Sequence, residues 1–435
     1  MKRRIWRTIA MALLMTTAFA VSGCGKKEVV FGVISDVHLI VKEGYDDTQR
    51  QENLRTALHY YKENNVDAIA VNGDMTDLGE VGAYQKFNRI FREVFPDEKK
   101  APELILTADG HEYFDAWDWM EGHTATYEQM RERFVSEMGL ESTNTSVEIN
   151  GYHFIGISAD SIDLAYANYS GDTIKWFEEE MAKAHKDSAK KPIFVFVHQP
   201  PAGTTDVSTK NSVSFLNGTL QKYPQAVVFT SHTHAPLQDE RTIHQEYFTA
   251  VNTATLYYVS PGDGLKYANL EEFDRVPKSE EFAQGLLVRV SGNKVDIERR
   301  DFYNNATIGD NWVIENPSNI EDYTYTEERK EKQGLLAFAD GAKGNVVKMN
   351  GVDYEITFDA AMQKDKVHHY KVCAMKSDSE FPERTLNVIS DFYLGGEKKT
   401  EWTCLFEDLK KEETYTFEVY AVDCFGNESA PFILQ

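Results

Sequence analysis

The chain has 435 residues, 42% hydrophobic and 12% aromatic, with 46 basic against 70 acidic side chains and a formal charge of −24. Such a composition builds packed cores, has room for two or three domains, and excludes a disordered chain. The acidic balance also argues against sequence-independent nucleic-acid binding, which needs a basic face.

The first 23 residues carry a basic start and an apolar stretch from Ile9 to Val21. That stretch is shorter than the roughly 18 to 20 apolar residues a membrane span needs, so it reads as a secretory signal. It ends in Val21-Ser22-Gly23-Cys24, which resembles a bacterial lipobox. The resemblance implies cleavage before Cys24 and lipidation of its thiol, with 24–28 as the tether. The expected location is outside the cytoplasm, anchored to the bacterial membrane or cell surface as a lipoprotein.

From residue 29 strands and helices alternate. The run "VVFGVIS" (29–35) is continuously apolar, as a buried parallel strand should be. A helix is expected over 46–65, where Leu54, Leu58 and Tyr61 fall on one face and Asn64-Asn65 ends it. Strands are expected at 66–73, 103–107, 152–158, 191–198 and 226–231, and helices at 82–95 and around 124–138, 171–186 and 211–222. This order predicts an α/β domain built on βαβ units. Residues 285–302 read as two strands joined by Ser-Gly-Asn, closing a domain over 29–318.

The charged stretch within 319–344 is the expected linker. Residues 345–435 hold short alternating strands and no helical pattern. Tyr415, Phe417, Val419 and Ala421 alternate on one face before "DCFGNES", which resembles the closing strands of a fibronectin type III domain. That implies a small all-β sandwich acting as a spacer or as a contact module for protein or glycan. Cys373, Cys404 and Cys424 form no C-x-x-C pair, so a zinc knot is not expected and they read as buried strand thiols.

Four signals lie at the ends of expected strands: Asp36-x-His38, Gly73-Asp74-x-x-Asp77, His198 and His232-x-His234. Ligand sites in open α/β sheets lie beyond the carboxyl ends of strands. Carboxylates and neutral imidazoles suit divalent metals. Taken singly, each signal also fits a cap, a turn or a structural histidine; the conjunction is hard to explain that way. The remaining histidines (His59, His123, His153, His185, His244, His368 and His369) read as structural or surface groups.

This set resembles the calcineurin-like metallophosphoesterase family, whose pattern is D-x-H, G-D-x-x-D, G-N-H-D/E, H and G-H-x-H. The resemblance implies an α/β sandwich of two packed mixed sheets flanked by helices. It also implies a centre of two divalent metal ions (Mn, Fe or Zn) that hydrolyses a phosphomonoester or phosphodiester by attack of a metal-bridging hydroxide. Carried over by position, Asp36, His38 and His234 would hold the first metal, His198 and His232 the second, and Asp74 both. His111 would be the acid for the leaving group, and Asp77 would orient it.

One position departs from the pattern: Gly110 stands where the family has its ligand Asn, within Asp109-Gly110-His111-Glu112. Three readings stand. Asp109 substitutes as a ligand; the second metal is held by His198, His232, Asp74 and water; or the chain is a catalytically impaired cell-surface binding protein. Aromatic loops follow, with Tyr113, Phe114, Trp117, Trp119 and Tyr127 in one and residues 255–273 in the other. They read either as walls of a substrate pocket or as groups packing the loops down.

Overall fold

The computed structural model describes residues 28–116, 124–163, 166–205, 214–260, 265–270 and 276–435. The signal sequence and Cys24 lie outside these residues. No helix among the described residues is long and apolar enough to cross a membrane.

The elements run β1 (Glu28–Ile34), α1 (Thr48–Glu63), β2 (Ala68–Asn72), α2 (Val81–Val94), β3 (Glu103–Thr107), α3 (Tyr127–Met138), β4 (Thr145–Ile149), β5 (Tyr152–Ile157), β6 (Ser161–Asp163), β7 (Tyr166–Asn168), α4 (Gly171–Asp187), β8 (Ile193–Val197), α5 (Asn217–Leu220), β9 (Ala226–Thr230), β10 (Ile243–Gln245), β11 (Thr249–Asn252), β12 (Gln284–Ser291) and β13 (Lys294–Asp301), then β14 (Ala306–Thr307) and β15 (Trp312–Ile314). One mixed sheet has the order β14-β13-β12-β1-β2-β3, with β15 also on β13; the other has β10-β11-β9-β8-β5-β4. In the first, β1, β2 and β3 are parallel and β12 is antiparallel to β1. In the second, β5, β8, β9 and β11 are parallel, with antiparallel edges.

The sheets pack face to face around Phe31, whose ring centroid lies 5.0 Å from Phe154, 4.9 Å from Phe194 and 5.7 Å from Phe229. Their other faces meet helices: Leu54, Ala57, Leu58 and Tyr61 of α1 are buried with Ile69, Val71 and Leu106. Strands covered on both faces must be apolar throughout, which is why β2, β8 and β9 read as unbroken runs. The helix expected over 211–222 contracts to the single turn of α5 among the described residues. Gly218 weakens the helix there, and Pro224 lies just beyond.

The C-terminal part forms β16 (Gly344–Met349), β17 (Asp353–Asp359), β18 (His369–Lys376), β19 (Arg384–Ile389), β20 (Glu401–Phe406), β21 (Tyr415–Val422) and β22 (Phe432–Leu434). These make a three-stranded sheet, β16-β17-β20, and a four-stranded sheet, β19-β18-β21-β22. Tyr415, Phe417, Val419 and Ala421 all face their shared core. Cys373 and Cys404 are free, buried strand thiols; Cys424 is free and half-buried in a turn, not a strand.

This unit does not hang from a tether. Ile389, Phe392 and Tyr393 join the same apolar cluster as Phe31 and Val288. Ala268 N donates to Asn387 O (2.7 Å), and Asn269 and Ile389 exchange two hydrogen bonds. The stretch read as a linker lies along β10, with the Thr324 and Tyr325 amides donating to Gln245 Oε1.

His369, 8% exposed and 5.8 Å from the Tyr267 ring, sits at this junction. Burial, with Arg241 and Lys371 adding to it, pulls its imidazole down to about 4. The folded state therefore binds this proton less readily than the unfolded chain, whose imidazole has its ordinary value of 6.5. The associated stability is fully present above the unfolded value and is lost as pH falls toward 4. Relative to wild type, His369→Gln should gain about 3 kcal/mol between pH 7 and pH 4, read by urea unfolding at each pH.

Candidate metal centre

The six expected ligands all leave the carboxyl ends of parallel strands: Asp36 and His38 after β1, Asp74 after β2, His198 after β8, and His232 and His234 after β9. The loops are knitted together by backbone bonds. Asp36 N donates to Gly73 O (3.1 Å), His38 N to Asp74 O (3.0 Å) and Ser231 N to His198 O (2.8 Å). The potential donor atoms of Asp36, His38 and His234 lie within 4.8 Å of one another, as do those of Asp74, His198 and His232. His234 Nε2 is 3.1 Å from Asp36 Oδ1, and His198 Nε2 is 3.2 Å from Asp74 Oδ2.

The backbone is strained to achieve this. Asp36, His38, Asp74, His232 and His234 all have φ between +49° and +68°, a region non-glycine residues rarely occupy. Such conformations persist only where the surroundings impose them, and they cluster at functional sites.

The histidines are also oriented. His198 Nδ1 donates to Asn72 O (2.9 Å), His234 Nδ1 to Tyr258 O (2.8 Å), and His38 Nδ1 lies 3.0 Å from Asp77 Oδ1. With Nδ1 acting as the donor, Nε2 faces inward, as second-sphere partners of metal-bound histidines arrange it. Asp36 Oδ1, His38 Nε2, His198 Nε2 and His232 Nε2 are buried and make no hydrogen bond. Buried acceptors without donors are costly, and here they converge. The set fits divalent metal ions.

Burial and the charge on His198 hold His232 down to about 3, a neutral imidazole ready to donate its lone pair. Burial opposes charge on His198, but Asp74 beside it outweighs that and raises it.

Residues 29–236 match the family model of calcineurin-like phosphoesterases. They form a calcineurin-like phosphoesterase domain. Similar solved structures include a dimetal phosphatase from Danio rerio (10% identity, TM-score 0.44, covering 66% of this chain and 98% of that one). A purple acid phosphatase from yellow lupin (Lupinus luteus) seeds aligns at 12% identity and TM-score 0.45, over 67% of this chain and 54% of that one. Vacuolar protein sorting 29 from Cryptosporidium parvum aligns at 10% identity and TM-score 0.30, over 66% and 96%. No curated protein matches the chain in sequence.

In this phosphoesterase domain the departing turn is built around Glu112, which is 0% exposed. Its carboxyl accepts from the amides of Asp74 (2.9 Å), Thr76 (3.0 Å) and Asp109 (3.2 Å), tying the β2 and β3 loops together. Burial, with the Asp74 charge adding to it, pushes Glu112 up to about 8. His111 N donates to Asp74 Oδ1 (2.9 Å), and its ring Nδ1 lies 2.8 Å from Asp77 O.

A Cβ at Gly110 would sit 3.1 Å from Asp74 Oδ1, so a side chain there would start against that carboxylate. Asp109 is not gathered into the Asp74–His198–His232 group. Its Oδ1 accepts from Gly110 N (2.8 Å) and Gln199 Nε2 (3.3 Å), while its buried Oδ2 has no hydrogen-bond partner. Burial pushes this carboxyl up to about 6 against the pull of His198.

Asp77 faces His38 as well as His111. Its Oδ1 is closer to His38 Nδ1 (3.0 Å) than to His111 Nδ1 (3.5 Å). The expected aromatic walls divide. Tyr113 and Tyr127 are anchors, their hydroxyls donating to Ala159 O and Ile162 O (each 2.7 Å). Phe114 stacks on His111, and Tyr258 stacks on His234 with centroids 4.0 Å apart. Trp117, Trp119 and His123 lie outside the described residues.

Arg50 and Glu112 received no role from the sequence. Arg50 had a legible signal, since it is four residues before Leu54 on the buried stripe of α1, where a charge needs a partner.

Gly73 has φ +82°, and a Cβ there would meet His198 Nδ1 at 2.4 Å. Gly73→Ala should displace His198, cost about 1–3 kcal/mol of stability, and weaken metal binding; thermal unfolding and metal titration read the two effects.

Proposed function

We propose that this chain is an exported, lipid-anchored phosphoesterase that uses two divalent metal ions to cleave a phosphomonoester or phosphodiester. One observation carries the reading: buried Nε2 and carboxylate atoms without hydrogen-bond partners converge from three strand ends of a calcineurin-like phosphoesterase domain. Asp36, His38 and His234 would hold one ion, with His198 and His232 on the second and Asp74 on both. Bound ions of this kind supply Lewis acidity and bring a water's pKa near 7.

His111 is the proton donor to the departing oxygen. Burial alone would lower its imidazole, but the charges of Asp74 and Asp77 outweigh that and raise it, so it carries a proton to give. The Nδ1 contact to Asp77 O and the amide bond to Asp74 hold the ring in place. The signal sequence and the lipobox-like Val21-Ser22-Gly23-Cys24 support export and anchoring through Cys24.

Gly110 favours a second reading, a cell-surface binding protein whose metal site lacks one ligand. An aryl phosphate assay with added Mn²⁺, Zn²⁺ or Fe²⁺ separates the two. Turnover is expected, and Asp74→Asn or His232→Ala should lower it by more than about 100-fold. Metal occupancy without turnover of mono- or diesters would instead establish the binding protein.

The unpartnered Oδ2 of Asp109 makes it the candidate replacement for the missing ligand. Asp109→Ala should weaken retention of one of the two ions by about 10-fold or more, measured by competitive chelation and elemental analysis. Unchanged stoichiometry and affinity would leave the second ion to Asp74, His198 and His232 with water.

A further inference from the structure

Arg50 lies on α1, outside every segment that supplies a metal ligand, yet it is only 7% exposed. Its guanidinium meets three of the loops that build the site. Nη1 donates to the carbonyl of His38. The same nitrogen is 3.5 Å from Asp77 Oδ2. The guanidinium carbon sits 3.7 Å from the centroid of the Tyr257 ring, in the loop after β11.

The Asp77 carboxylate is thus gripped from two sides. Oδ2 faces Arg50, and Oδ1 faces the Nδ1 atoms of His38 and His111. Asp77 also receives His111 Nδ1 at its backbone oxygen. A planar guanidinium suits this task, because it can lie against an aromatic face and direct N–H groups sideways at once; an ammonium cannot do both. With its Oδ2 unrestrained, the Asp77 side chain could rotate away from both rings, and His111 would keep its bond to Asp77 O but lose the carboxylate contact, 3.5 Å from Nδ1, that restrains the ring's tilt.

We propose that Arg50 is a positioning residue that fixes Asp77 and, through it, the proton-donating geometry of His111, while Tyr257 clamps the guanidinium from the other face. The inference rests on the phosphoesterase reading above. It concerns the leaving-group half of the reaction; because Asp77 also faces His38, metal retention is measured alongside turnover.

The test compares wild type, Arg50→Met, Arg50→Lys and His111→Ala on 4-nitrophenyl and phenyl phosphates and on the matching methyl aryl diesters, with bound metal measured for each. A phenol that leaves poorly needs its proton; a nitrophenolate hardly does. Compared at equal metal occupancy, Arg50→Met should therefore lose about 10-fold more kcat on the phenyl ester than on the nitrophenyl ester, in the same sense as His111→Ala. Arg50→Lys, the variant chosen to keep a buried cation and the fold, should show a smaller loss of the same selectivity.

A second readout needs no turnover. In metal-free protein, the His111 Nδ1–H resonance should exchange faster with water in Arg50→Met than in wild type. An equal loss on both esters, or a loss that follows metal content, would overturn the proposal and make Arg50 a structural residue only. Were wild type to turn over none of these esters, the phosphoesterase reading would fall and this inference with it. If instead only His111→Ala steepens the leaving-group dependence, the enzyme reading stands and the role of Arg50 does not.

Discussion

Asp36 and Asp74 are 0% and 2% exposed, and neither has a lysine or arginine partner among the described residues. Their charge faces imidazoles whose remaining nitrogens are already committed. Burying carboxylates with no fixed cation such as lysine or arginine beside them is costly enough that proteins avoid it or neutralise it. This pair makes sense as part of a structure designed around a cation, and much of the surrounding architecture follows from that need. Parallel strands bring their carboxyl ends to one edge, five residues accept left-handed backbone, and Gly73 lets His198 pass close to the β2 loop. The phenylalanine layer between the sheets gives those strand ends a rigid base.

Stability and function pull in opposite directions here. The carboxyl of Glu112 is buried beside Asp74, and burial together with that charge pushes it up to about 8, yet it ties three backbone amides from two loops. The backbone bonds give the site its shape, and the cost of burying the carboxyl there is met by keeping its proton.

How much of this was legible in the sequence depends on whether the determinant was local. The doubly covered strands could be read because a strand buried on both faces leaves an unbroken apolar run, as in "IFVFV" of β8. The strand-end carboxylates and histidines could be read because each directly follows such a run. Arg50 was passed over because its partners, Asp77 and Tyr257, are 27 and 207 residues away, although its place on an apolar stripe was a visible anomaly. Glu112 was seen as part of a motif, but its amide partners exist only once the β2 and β3 loops meet. The helix expected over 211–222 failed for a local reason, since Gly218 and Pro224 work against it. Asp77 was assigned to His111 alone because nothing in sequence spacing shows that one carboxylate can serve two imidazoles.

The C-terminal unit was read as a spacer or a contact module, and its packing adds a closer bond to the site. Gln238, four residues after His234, donates to Tyr393 O (3.0 Å). The amide of the neighbouring Leu237 donates to Gln284 Oε1 on β12, and Gln284 Nε2 donates in turn to Gln238 Oε1 (2.9 Å). The segment leaving the last metal-facing histidine is therefore held between the first sheet and the C-terminal unit. Its apolar contacts, through Ile389, Phe392 and Tyr393, belong to the same cluster as the inter-sheet phenylalanines. A spacer would be free to separate, whereas a shared core must come apart before the units can move independently. The physical consequence is that the strained loop carrying His232 and His234 is braced from both sides, and the second unit becomes part of what keeps the imidazoles aimed.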